Sequence, residues 1–147
     1  MKEILKKTAA EQRRALLNKE ISAVELTNAT FERIDEVESK IEAFNCLTKE
    51  TALETAKKVD EKIARNEELP LLAGIPLALK DNMNLIGYPT TASSKILENF
   101  ISPYNATITG KLLNNLVPIV GETSKSTSLN ALSKSSFTIA RNCCAFL

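Results

Sequence analysis

The chain of 147 residues is long enough for one domain with a hydrophobic core, and its 44% hydrophobic and 25% charged content is typical of a soluble protein. Nineteen basic and eighteen acidic residues leave a formal charge of +1, which gives no electrostatic basis for direct nucleic-acid binding. No apolar run approaches a membrane span and the first residues lack the apolar core of a signal peptide, so we predict a cytoplasmic protein with no membrane partner.

The complete absence of histidine excludes Ser-His-Asp and Cys-His catalysis and removes the commonest metal ligand. The three cysteines are Cys46, Cys143 and Cys144, and they have no Cys-x-x-Cys spacing. This pattern suits neither a disulfide framework nor a zinc site. We therefore predict no metal and no cofactor, and we expect reduced thiols.

Three helical patterns occupy the first half of the chain. Helix formers over residues 2–18 predict the first helix. Ser22 and Glu25 have the spacing of a capping box that opens the second helix. The third helix is predicted over residues 50–65, with its charges on a solvated face. The predicted buried positions of the second and third helices are Val24, Phe31, Ile34, Ile41, Ala52, Ala56, Val59 and Ile63.

The second half predicts a strand, a helix and another strand. An apolar run over residues 75–79 is bounded by chain breakers and ends at Lys80. Asn105 has the position of an N-cap for a helix to about residue 115, and a second short strand follows at 117–121. Such a βαβ unit has parallel strands, and chemistry in open α/β sheets gathers at their carboxyl ends. Lys80 is predicted to lie at such an end.

Two interpretations of Lys80 are compatible with its surroundings. Apolar neighbours disfavour the charged form of a lysine, and a neutral lysine can act as a general base. Alternatively, Lys80 ends a strand and extends its amine into water. Spacing alone favours the second interpretation.

Several separated motifs change this balance, because together they resemble the amidase signature family. They are Ala-Gly-Ile-Pro at 73–76, Lys-Asp-Asn at 80–82, Gly-Tyr-Pro-Thr-Thr-Ala-Ser-Ser-Lys-Ile-Leu-Glu-Asn-Phe at 87–100 and Pro-Tyr-Asn-Ala-Thr at 103–107. The resemblance runs from Glu20 to Gly121 and is strongest to the A subunits of glutamyl-tRNA(Gln) amidotransferases. In that family, the lysine of Lys-Asp-Asn is the base of a Ser-cisSer-Lys triad. The resemblance therefore implies that Lys80 is a catalytic general base.

The same resemblance implies a fold and a set of partners. The expected fold is α/β, with N-terminal helices packed on a truncated, mostly parallel sheet, as part of the amidase signature fold. The A subunits release ammonia from glutamine for the amidation of Glu-tRNA(Gln), and subunits B and C accompany them. Subunits B and C are therefore the expected partners.

The resemblance fades in the last part of the chain. We divide the chain into the N-terminal part of an amidase signature domain, residues 1–121, and a diverged polar tail, residues 122–147. The tail is rich in serine and lysine, and Glu122 stands where the family has a lysine. The family's glycine-serine-serine turn is absent, and the segment that holds both triad serines would begin beyond Leu147. We therefore expect a truncated homologue that is inactive alone.

Three interpretations of such a chain remain open. It is part of a split amidase, completed by a chain that supplies the remaining strands and both serines. Alternatively, it is a non-catalytic interaction protein that binds or competes for the partners of the A subunits, or the remnant of a disrupted gene. Unpaired strand edges also predict self-association or binding to a larger partner.

Overall fold

The computed structural model describes residues 3–123, which form helices and strands in an α/β arrangement. The helices are α1 (Ala9–Leu17), α2 (Ala23–Ile41), α3 (Lys49–Ala64) and α4 (Thr107–Asn114), with 3₁₀ turns at Ile4–Lys6 and Lys95–Leu97. The strands are β1 (Phe44–Leu47), β2 (Leu77–Lys80) and β3 (Ile119–Thr123). Most of the tail predicted over residues 122–147 lies outside the described residues, but Glu122 and Thr123 belong to β3.

Capping boxes begin both α1 and α2. The box at Ser22 and Glu25 confirms the prediction for α2. A second box interrupts the single helix predicted over residues 2–18. There the backbone of Thr8 is extended, its N–H donates to Glu11 Oε2 at 2.7 Å, and its hydroxyl accepts from the Glu11 N–H at 3.3 Å. The predicted helix is therefore wrong as one element, because Thr8 starts a new helix after the 3₁₀ turn.

Helices α2 and α3 pack closely against each other. Asp60 of α3 accepts hydrogen bonds from the first two N–H groups of α2, at 2.7 and 3.0 Å. Its carboxylate thus satisfies backbone donors that would have no partner within α2. The two helices also share a core with α1, built from Leu16, Ala23, Leu26, Ala29, Ala56 and Val59. Of the predicted buried positions, Val24, Ile41 and Ile63 are only partly buried.

The sheet has the strand order β1-β3-β2. β2 and β3 are parallel and connected through α4, which confirms the predicted βαβ unit. β1 pairs with β3 in the antiparallel direction and was not predicted. The predicted α/β class is therefore confirmed, although the sheet is mixed and its first strand had no signal in the hydrophobic pattern.

Helices cover both faces of the sheet. On one face, Phe31 and Ile34 of α2 and Ala52 of α3 pack with Val120 of β3. On the other face, Leu112 of α4 packs with a cluster of sheet and loop residues that comprises Leu79, Leu85, Val117 and Ile119. The parallel strands β2 and β3 therefore run between two apolar layers and end side by side at Lys80 and Thr123.

The predicted N-cap of α4 is wrong. Ala106 occupies the N-cap position and makes no side-chain capping bond. The Asn105 side chain instead accepts a hydrogen bond from the Ile86 N–H at 2.8 Å. This long-range bond fixes the loop before α4 to the segment after β2, and it uses the oxygen that a cap would require. None of the helices within residues 3–123 is long and apolar enough to cross a membrane.

Candidate active site

Lys80 is the last residue of β2, at the predicted position. Its side chain is half-buried, between the buried residues Leu79 and Asp81. Thr123 lies opposite Lys80 at the end of β3, and its hydroxyl donates to the Leu79 carbonyl at 3.3 Å. The carboxyl ends of two parallel strands therefore meet at Lys80, which is the part of an α/β sheet where functional groups gather.

Asp81 connects this strand end to its surroundings. The residue is fully buried, and its carboxylate accepts hydrogen bonds from the Thr91 N–H at 2.7 Å, from the Thr91 hydroxyl and from Asn45 Nδ2 at 2.6 Å. Its backbone N–H donates to the Thr123 carbonyl, and its carbonyl accepts from the Ala92 N–H. Asp81 thus holds β1, β3 and the loop at residues 90–94 around the residue that follows Lys80.

The loop at residues 90–94 contains two adjacent residues in the left-handed conformation. Ala92 has φ 47° and Ser93 has φ 59°, which costs residues other than glycine about 1–2 kcal/mol each. Hydrogen bonds hold this conformation, because Ser93 N–H donates to the Thr91 hydroxyl at 3.2 Å and Ser94 N–H to the Thr91 carbonyl at 2.8 Å. Strained backbone that is fixed in this way clusters at functional sites.

Glu122 and Cys46 also lie at this strand end, and neither was predicted to belong to the site. Glu122 lies opposite Leu79 in β2 and opposite Cys46 in β1. Its side chain is fully buried, and among residues 3–123 neither carboxyl oxygen has a hydrogen-bond partner. Burial, and secondarily the Asp81 charge, raise the pKa of Glu122 from 4.5 to about 7. The signal in the sequence was an acidic residue directly after the apolar run of β3.

The Cys46 thiol shares this environment. Burial is the main cause that raises its pKa, and the charges of Glu122 and Asp81 raise it further. A thiol held in its protonated form is a poor nucleophile. We therefore assign Cys46 no catalytic part in the site.

The described serines include two with defined structural roles. Ser22 caps α2, and the buried Ser102 donates to the Tyr104 carbonyl at 2.7 Å while it accepts from Asn84 Nδ2 at 2.9 Å. Within residues 3–123, no group of three or more His, Cys, Asp or Glu side chains could hold a metal ion. The site therefore combines Lys80 at a strand end with two buried carboxyl groups and a fixed loop at the same end of the sheet.

A solved structure places this fold in a known class. The crystal structure of a bacterial aryl acylamidase of the amidase signature family superimposes with a TM-score of 0.73 at 24% sequence identity. The match covers 80% of this chain and 25% of that chain. The structure described here is therefore part of an amidase signature fold.

Sequence comparisons identify the family. The model of the Amidase family matches residues 25–144, and the chain belongs to this family. It is 53% identical over 113 residues to the glutamyl-tRNA(Gln) amidotransferase A subunit of Rippkaea orientalis, and 54% identical over 105 residues to that of Carboxydothermus hydrogenoformans. These matches cover 77% and 71% of this chain. They span only 23% and 22% of the relatives' own lengths.

Proposed function

We propose that this chain supplies the lysine-bearing part of a glutamine-hydrolysing amidase, of the type found in the A subunits of glutamyl-tRNA(Gln) amidotransferases. The observation that carries the proposal is the position of Lys80, at the carboxyl end of a parallel strand within the segment that matches the Amidase family. About half of the aligned residues are identical to those of two A subunits, and this similarity supports glutamine as the substrate. A cytoplasmic location is part of the same proposal.

In the proposed reaction, Lys80 is the general base. Its neutral amine accepts the proton of a serine hydroxyl, and the serine oxygen attacks the side-chain amide carbon of glutamine. The carbon–nitrogen bond then breaks, ammonia leaves with the proton returned from Lys80 to its nitrogen, and the glutamyl group remains as a serine ester. Water hydrolyses this ester, which releases glutamate and restores the serine hydroxyl. Such transfer requires the serine hydroxyl within about 2.6–3.2 Å of the lysine nitrogen. The fixed position of β2 between two apolar layers would hold the amine for this purpose.

The proposal requires serines from another polypeptide segment. None of the four glycines in these 147 residues is followed by serine, so the glycine-serine-serine turn expected from the resemblance is not in this sequence. We infer that these residues alone release no ammonia. Within residues 3–123, β2 is an edge strand in the order β1-β3-β2, and such an edge can pair with a further strand. This edge supports completion of the site by pairing with a second segment.

A second candidate function is an interaction protein that binds the partners of the A subunits, which we propose to be subunits B and C. Exposed apolar side chains in the segment after β2 favour this candidate. Ile96 is 94% exposed, Tyr104 57% and Ile86 52%. Apolar groups of this size are enriched at protein interfaces when they lie together on a surface. An interaction role needs exposed apolar side chains of this kind but not Lys80.

Complementation distinguishes the two candidates. The chain is co-expressed with the part of the Rippkaea orientalis A subunit that follows the matched segment, and ammonia release from glutamine is measured with and without subunits B and C. The amidase proposal predicts that both polypeptides are needed and that Lys80→Ala abolishes turnover, whereas Lys58→Ala on the exposed side of α3 does not. The interaction protein predicts instead that the chain co-purifies with subunits B and C and releases no ammonia. Lys80→Ala should then leave the co-purification unchanged.

A further inference from the structure

Two buried carboxyl groups at the end of the sheet differ in how their oxygens are satisfied. These groups belong to Asp81 and Glu122, and both residues are fully buried. Asp81 accepts three hydrogen bonds, from Thr91 and Asn45. Glu122 accepts none at either oxygen from residues 3–123. The described part of the chain thus provides donors for one negative charge at this place and none for the second carboxyl group.

The surroundings of Glu122 also disfavour its charge. Asp81 approaches from the end of β2, and Cys46 approaches from β1 as a neutral thiol. Leu79 lies opposite Glu122 in β2 and packs with Leu85 and with Leu112 of α4, so this face is apolar. Alternation along β2 directs Lys80 to the other face of the sheet from Leu79. A carboxylate without donors beside another carboxylate is far less stable than a neutral acid.

We propose that Glu122 is a proton switch at the end of the sheet that carries Lys80. With its proton bound, the carboxyl group tolerates burial and the ends of β1, β2 and β3 remain paired. Ionised, the group favours opening of this end, because water can then supply the hydrogen bonds that the described residues do not. The inference goes beyond the proposed amidase function and does not require Lys80 to be catalytic.

The direction of the effect follows from proton linkage. The folded chain binds this proton more tightly than the unfolded chain does, because the pKa of Glu122 is raised from 4.5 to about 7. The stability that the bound proton contributes is fully present below pH 4.5, decreases as the pH rises and is lost above about pH 7. The shift corresponds to a change of about 300-fold in the unfolding equilibrium constant across this interval.

Equilibrium unfolding in urea between about pH 4.5 and pH 8.5 tests the switch. The wild-type chain should lose stability with rising pH relative to Glu122→Gln, whose neutral amide has no charge to gain. The difference should grow by about 300-fold in the unfolding constant up to about pH 7 and then stay constant. Glu54→Gln, on the exposed side of α3, is the matched control and should show the same pH dependence as the wild type.

A second measurement does not depend on any variant folding. The side-chain carboxyl carbon of Glu122 is followed by ¹³C NMR in the wild-type chain, together with hydrogen exchange of the Asp81 N–H that donates to Thr123. The proposal predicts that the Glu122 carboxyl group titrates near pH 7. Above that pH, exchange of the Asp81 amide should rise more steeply than the ordinary base-catalysed increase of amide exchange with pH. Titration of Glu122 near pH 4.5, or equal pH dependence in Glu122→Gln and the wild type, would overturn it.

Discussion

Replacing Gly121 with alanine should separate β1 from β3. Gly121 lies in the central strand, opposite Leu47 of β1. A Cβ atom there would stand 2.4 Å from the Cys46 carbonyl oxygen and 2.8 Å from Cδ1 of Phe44. The first of these atoms belongs to the backbone, so no rotation of a side chain relieves the contact.

The size of the effect follows from the movement that the contact requires. An ordinary van der Waals contact begins near 3.4 Å, so β1 would have to move by about 1 Å from β3. Overpacking in a core typically costs about 1–3 kcal/mol, and each weakened ladder hydrogen bond adds about 1 kcal/mol. We therefore expect Gly121→Ala to lower the free energy of unfolding by about 3 kcal/mol or more.

Gly110 in α4 provides the matched control. A Cβ atom at this position meets nothing within 4 Å, and alanine is the better helix former by up to about 1 kcal/mol. Urea unfolding followed by far-ultraviolet circular dichroism should show Gly110→Ala equal to or more stable than the wild type. A Gly121→Ala variant within about 0.5 kcal/mol of the wild type would show that β1 does not pack closely on β3.

Three further outcomes are expected. Asp60→Ala removes the acceptor for the two N–H groups at the start of α2 and should cost about 1–2 kcal/mol in urea unfolding; an unchanged midpoint would contradict this capping role. The raised pKa of Cys46 keeps its thiol protonated at neutral pH, so its reaction with iodoacetamide should be at least about tenfold slower in the folded chain than in urea. Peptide mass spectrometry measures both rates, and equal rates would contradict this expectation. Asp81→Asn removes the charge that helps raise the pKa of Glu122, so the NMR titration of that carboxyl should shift to lower pH, and an unchanged midpoint would contradict the coupling.

Local patterns made part of this structure predictable. The capping box of α2 involves residues only three positions apart, so Ser22 and Glu25 indicate it directly. The βαβ unit was predictable because two short apolar runs flank a helical stripe. The end of the first apolar run also placed Lys80 at the carboxyl end of β2, although the run alone assigns this lysine no role without the resemblance to a family.

The features that were missed depend on contacts between distant parts of the chain. β1 is only four residues long, and it pairs with β3 through positions as distant as Cys46 and Glu122. Its alternation of half-buried and exposed residues gives little signal. The burial of Glu122 likewise arises because strands pair on both of its sides. Asn105 has the residue type of an N-cap, but a bond to the distant Ile86 takes its side-chain oxygen.

A chimeric enzyme tests whether Lys80 is the general base of an amidase site. Residues 25–121 of this chain replace the aligned segment of the Rippkaea orientalis A subunit, and ammonia release from glutamine is measured in the assembled enzyme. We expect the chimera to be active, Lys80→Ala to lower its turnover by about 10²–10⁴-fold and Lys58→Ala to leave its turnover unchanged. Turnover of the Lys80→Ala chimera within a few-fold of the unsubstituted chimera would contradict the claim.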